Sequence, residues 1–127
     1  MTFLDKYQPQ LLSLLRIVAG LLFLEHGTQK ILGFPAMTMA VPPEAATMIM
    51  VAGYIELIGG ALILLGLFSR IAAFICSGEM AVAYWMVHVP KGGPFPVLNG
   101  GDAAILFCFV FLYIAAAGPG PIAANQR

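Results

Sequence analysis

Four long apolar stretches, broken by short runs rich in glycine and proline, set the rhythm of this chain. They cover about residues 11–32, 45–68, 69–89 and 99–117. Each is near the ~20 residues that a helix needs to cross the hydrocarbon core of a bilayer. Pro9 precedes the first stretch, Pro42-Pro43-Glu44 opens the second, Pro90 ends the third, and Gly118-Pro119-Gly120-Pro121 ends the fourth. These are ordinary helix start and stop signals. Glu25-His26, rather than a small-x-small cleavage site, follows the first apolar run, so it reads as a retained membrane helix. The second and third stretches are joined only by Gly66-Leu67-Phe68-Ser69-Arg70, a tight antiparallel link with Ser69 as the expected N-cap. The pattern predicts an all-α integral membrane protein: one domain over 1–127, an antiparallel four-helix bundle with both termini on the same side.

The polar positions inside these stretches carry the chemistry, because charges in hydrocarbon are costly and usually functional. Glu56 and Glu79 lie near the middle of the second and third helices, and Arg16 lies on the first within side-chain reach of that depth. Two carboxyls sharing an apolar site do not both ionise unaided. Either one carries a proton at neutral pH, or a cation besides Arg16 completes the set. A second polar level sits toward the 33–44 and 90–98 loops: Glu25, His26, Gln29 and Lys30, then His88, then Asn99 and Asp102. Asn99-x-x-Asp102 reads as an N-cap with an acidic first turn. Glu25 with Gln29 and His26 with Lys30 are i,i+4 pairs. Not all these groups share one face. Arg16 and Glu25 are nine residues apart, as are Glu79 and His88, and nine steps of about 100° point nearly opposite ways. A single pocket collects them only if the helices distort near their ends; otherwise Glu25 faces a second contact surface.

Composition sharpens the picture. Of 127 residues, 61% are hydrophobic and 9% charged, against roughly 25% charged in soluble domains. The formal net charge is zero, which excludes the basic footprint of a nucleic-acid binder. Lys6, Arg70 and Arg127 fall on the terminal side, with Lys30 and Lys91 on the loop side, so the positive-inside rule favours cytoplasmic termini. The two long loops are themselves apolar, with Phe34, Met37, Met39 and Phe95, and are suited to an interfacial lid or to a partner. Gly20, Gly27, Gly53, Gly59 and Gly60, with Ala72, Ala73, Ala81 and Ala83, suit close helix packing. Cys76 and Cys108 form no metal or redox motif. No nucleophilic triad, P-loop, dinucleotide fingerprint or haem-attachment motif is present. His26 and His88 alone make a weak case for haem or metal, and neither is expected. Glu, His, Arg and Lys beside Tyr84, Trp85, Phe107 and Tyr113 better suit a quinone-like head group in an apolar pocket.

Four segments carry a family resemblance: R-I-V-A-G-L-L-F-L-E-H-G-T-Q-K-I-L-G (16–33), E-L-I-G-G-A-L-I-L-L-G-L-F-S-R (56–70), E-M-A-V-A-Y-W-M-V-H-V-P-K-G (79–92) and L-N-G-G-D-A-A-I-L-F-C-F-V-F-L-Y-I-A-A-A-G-P-G-P (98–121). In that order they resemble the DoxX family of small bacterial four-helix membrane proteins. The resemblance implies a multi-pass protein of the bacterial cytoplasmic (inner) membrane. It also implies kinship with the membrane subunit of a thiosulfate:quinone oxidoreductase and with members of membrane-associated oxidoreductase complexes. The family-typical polar positions fall here on Arg16, His26, Gln29, Lys30, Glu56, Arg70, Glu79, His88, Asn99 and Asp102, the last an Asp where Glu is commoner. Glu25 stands where relatives commonly carry an apolar or aromatic residue.

The functional expectation is a membrane subunit of a quinone-linked oxidoreductase complex, with a polar intramembrane site drawn from Arg16, Glu25, His26, Gln29, Lys30, Glu56, Glu79, His88, Asn99 and Asp102. Its partners are the lipid bilayer and protein subunits; association with a further copy of the chain is compatible with the sequence. The alternative is a non-enzymatic scaffold recruiting soluble partners through its two apolar loops. Proton or ion transport through Glu56 and Glu79, and buried charges with a structural role alone, complete the set.

Overall fold

The computed structural model describes residues 1–127 and is all-helical, with no strands. After a 3-10 turn over Thr2–Tyr7, helix α1 spans Gln8–Leu32. Pro9 sits in its first turn, where an N–H has no helical partner to lose. Gly33 closes α1 in the left-handed conformation at φ 70°. A 3-10 turn, Pro43–Ala45, leads into α2, Ala46–Leu65. Helix α3 spans Ser69–Ala83 and runs on through a π-helical turn, Tyr84–His88, and a last turn, Val89–Gly92. A short turn over Pro96–Asn99 precedes α4, Asp102–Ala117. Three stretches, Thr2–Leu32, Pro43–Leu65 and Ser69–Gly92, are long and apolar enough to cross a membrane, and α4 is apolar but shorter.

Three local expectations are corrected. Ser69 is the first residue of α3 and not its cap; the cap position is Phe68 at φ 48°, whose N–H donates to Asn125 Oδ1 at 3.1 Å. Pro90 does not end the third helix. A helical proline clashes with the carbonyl four residues back, here that of Met86, which lies in the widened π turn where the chain has room. Asn99 does not cap α4, which has Gly101 at that position.

The helices pack chiefly as two pairs, α1 with α2 and α3 with α4. Glycines set the closeness of the first pair. A Cβ on Gly20 would stand 2.7 Å from the Leu64 nitrogen, one on Gly60 2.8 Å from Leu24 Cα, and one on Gly27 would run into the Leu57 backbone. Backbone therefore meets backbone, which supplies the dispersion contact that membrane helices need where water gives no drive. In the second pair, Ser77 Oγ donates to the Cys108 carbonyl at 2.7 Å. Phe23, Phe107 and Phe111 join the pairs, with ring centroids 4.9–5.5 Å apart.

The last carbonyls of a helix lack partners inside it, and two arginines fill that need. Arg16 donates to the Leu64 carbonyl at 3.5 Å and to that of Pro119. Arg70 donates to the carbonyls of Ala115, at 3.3 Å, and Ala116. The segment after α4 is tied in as well. Ser13 Oγ donates to the Pro119 carbonyl at 3.1 Å and accepts the Ile122 N–H at 3.0 Å, while the N–H groups of Ala124 and Asn125 donate to the carbonyls of Leu65 and Gly66.

Candidate functional site

Between the two helix pairs, beside the start of α4, lies a cavity of about 740 Å³. That is within the ~300–1,000 Å³ usual for small-molecule sites. Its wall is mainly hydrophobic, and its charged or titratable side chains are His26, Lys30, Glu56, Glu79 and His88. Phe23 and Phe107 close it against the aromatic junction.

Lys30 Nζ lies 2.6 Å from Glu56 Oε1, an ion pair between α1 and α2 whose carboxylate side chain is 3% exposed. The glycine packing makes it: a Cβ on Gly53 would sit 2.8 Å from Lys30 Cβ, and Gly27 lies against the Glu56 carbonyl carbon. Lys30, rather than Arg16, is therefore the cation at Glu56. Arg16 is held level with Leu64, eight residues along α2 from Glu56, or about 12 Å of helix rise. Carbonyls lacking partners are closer to it than any carboxylate.

Glu79 is different. Both carboxyl oxygens are buried, and neither has a hydrogen-bond partner. Lys30 is already committed to Glu56, the neighbouring carboxyl on the cavity wall. A buried polar group without a partner is costly and directs attention to what could meet it in the cavity.

Each histidine is oriented by one bond. His26 Nδ1 is 2.8 Å from the Leu22 carbonyl and His88 Nδ1 is 3.1 Å from that of Asn99. A carbonyl only accepts, so both Nδ1 atoms carry the proton and both Nε2 atoms have no bond within the chain. His88 faces the cavity that Glu79 also lines because Tyr84–His88 is π-helical. Its i→i+5 bonds add less rotation per residue than an α-turn, which narrows by about a quarter-turn the half-turn that nine α-helical steps would leave. Helix α1 has no such distortion at Gly27, and Glu25 stays exposed outside the cavity.

The other expected residues fall outside the cavity wall. Arg16 is at the far end with Pro119. Gln29 donates to the Ala36 carbonyl in the 33–44 loop at 3.4 Å. Asp102 is exposed in the first turn of α4. Asn99, 1% exposed, is a loop organiser: its Nδ2 donates to the Gly93 carbonyl at 2.8 Å and the Tyr84 hydroxyl at 3.2 Å, and its Oδ1 accepts the Gly101 N–H at 2.8 Å. The Tyr84 hydroxyl donates to the Pro94 carbonyl at 3.0 Å. Trp85 and Tyr113 are exposed and away from the cavity. Ser13 and the π turn had no signal in the sequence. No three His, Cys, Asp or Glu side chains converge as a metal site would require.

Comparison with known proteins adds two findings. A sequence profile of the DoxX family matches residues 11–89, more than half of the chain. A protein of Haemophilus influenzae, described as uncharacterized, is 45% identical over 130 residues, covering all of this chain and 97% of the relative. It therefore extends over α4, beyond the span of the profile. No solved structure matches the chain.

Proposed function

The chain belongs to the DoxX family and is a membrane protein, and from that premise we propose that it is the membrane subunit of a quinone-linked oxidoreductase complex whose polar intramembrane site is the cavity between the helix pairs. The observation that carries this reading is Glu79, a buried carboxyl with two unpartnered oxygens inside an otherwise mainly apolar cavity. A quinone ring fits that demand: it is flat, apolar on its faces, and ends in carbonyl oxygens. In its acid form Glu79 donates its O–H to such an oxygen, and the Nε2 atoms of His26 and His88 supply two further polar contacts. The Lys30–Glu56 pair holds fixed charge beside them. When bound, a quinone supplies two-electron, two-proton chemistry; the electrons come from a partner subunit. Arg16, Gln29 and Asn99 hold the helix ends and loops around the site, while Glu25 and Asp102 remain available at the surface to partners or a further copy of the chain.

The arrangement proposed in the membrane is an antiparallel bundle with both termini on one side. Its support is that Gly20, Leu24 and Gly27 of α1 meet Leu64, Gly60 and Leu57 of α2, rising on one helix as they fall on the other, and that the segment after α4 bonds to Ser13 and Arg16. Lys6, Arg70 and Arg127 on that side favour the cytoplasm of the inner membrane by the positive-inside rule.

Titration of the purified protein with a decyl-tailed benzoquinone tests the functional reading. Saturable binding is expected, weakened about ten-fold or more in Glu79→Gln and His26→Ala, a loss equal to one good hydrogen bond in an apolar site. Full affinity in both variants overturns it. A second reading, a scaffold that recruits soluble partners, is favoured by the exposed Phe34, Met39, Val97 and Leu98 of the loops. It predicts that serine at these four positions abolishes complex formation while Glu79→Gln leaves the complex intact.

A further inference from the structure

We infer that the cavity is filled from the lipid side, through a gap between α2 and α3, and that its ligand is a single-tailed amphiphile whose apolar chain stays in that gap. The identity of the head group rests on the quinone reading above; the route does not.

Helices α2 and α3 are joined by the tight turn at Gly66 and touch far less than the helices within each pair. The cavity lies toward the end away from that turn, where they part. Its outer rim is Met48 and Val51 from α2 with Val82 and Met86 from α3. All four line the cavity and are exposed on the outside of the molecule, which makes that side an opening. One turn from Val82 along α3 is Gly78, also lining the cavity, with nothing within 4 Å of where a Cβ would be. In the α1–α2 contact Gly20, Gly27 and Gly60 are crowded by a facing backbone. Here the missing side chain leaves open space.

The loop side above α3 is fastened by contrast. Asn99 holds Gly93 and Tyr84, Tyr84 holds Pro94, and His88 donates to the Asn99 carbonyl, so four bonds fasten the segment after α3 over the π turn. Exposed lining residues also occur on the loop side, at His26, Gly100 and Ala103, but there a polar histidine and backbone border the cavity, whereas the rim between α2 and α3 offers only hydrocarbon and thioether. The rim selects a molecule already dissolved in the bilayer. Its head moves inward to Glu79 and the Lys30–Glu56 pair, and its tail remains against Val51 and Val82.

The test compares a decyl-tailed benzoquinone with a methyl-substituted one lacking the tail, on the full chain in detergent micelles and on Gly78→Leu and Val82→Phe. Both substitutions fill the rim from exposed positions and leave the paired helices untouched. The expected result is about ten-fold weaker binding of the tailed compound in each variant, with the tailless compound changed less than about two-fold. If both compounds bind and the variants alter neither, the lateral route is wrong and the quinone reading stands. If neither compound binds the wild type, the quinone reading fails, and the route is decided with lipid alone. The protein carrying Trp85→Phe and Phe107→Trp is reconstituted in vesicles of brominated phosphatidylcholine. Quenching of the cavity indole, relieved by adding Gly78→Leu, upholds the route; equal fluorescence in brominated and ordinary vesicles overturns it.

Discussion

Lys30 lies in the last turn of α1 and Arg16 well inside its first half, and they meet opposite kinds of acceptor. Lys30 neutralises a carboxylate, whereas Arg16 satisfies neutral carbonyls where α2 ends and the last segment folds back. Removing one partner of a buried ion pair leaves the other uncompensated, at a cost of about 3 kcal/mol or more. Lys30→Met is therefore expected to lower stability by about 3 kcal/mol in an SDS-titrated unfolding experiment, and Lys30→Met with Glu56→Gln to recover most of it. Strict additivity of the two changes would show that the pair is not coupled. Glu79→Gln breaks no bond within the chain and is expected to shift stability by less than about 1 kcal/mol. The polar residues were legible as a set because each interrupts an apolar run. Which cation would meet Glu56 was not, since it depends on carbonyls at the end of α2 that no side-chain pattern displays.

Among the elements, the α1–α2 contact is the most exacting. A methyl on Gly27 runs into the Leu57 backbone, and backbone cannot yield as a flexible side chain does. Gly27→Ala should cost about 1–3 kcal/mol, typical of an overfilled core, and should also part Lys30 from Glu56. Unchanged unfolding in that variant would contradict the packing. The helices themselves were readable from hydropathy and from glycine and proline punctuation. Their ends were less so. Pro90 is a sound stop signal until the π turn before it relieves the clash, and Asn99 resembles a cap but spends its side chain on Gly93, Tyr84 and Gly101. The same π turn brings His88 round to the Glu79 cavity, a convergence that ideal α-helical geometry forbids.

At the level of the molecule, two helix pairs meet around the cavity, whose wall includes exposed residues of α2 and α3. Family and membrane character could be read along the chain, for the motifs are local. The cavity could not: it arises from how the pairs meet, and five of its polar groups come from three separate segments. A ligand that binds only the folded state raises stability by about 2.7 kcal/mol at a hundred-fold excess over its Kd. The most direct measurement is thus the thermal unfolding of the wild type and Glu79→Gln with and without the decyl-tailed benzoquinone. A ligand-dependent rise in Tm for the wild type, largely lost in Glu79→Gln although the two unliganded proteins melt alike, is the predicted result. Equal stabilisation of both proteins, or none of either, would contradict a binding site built on Glu79.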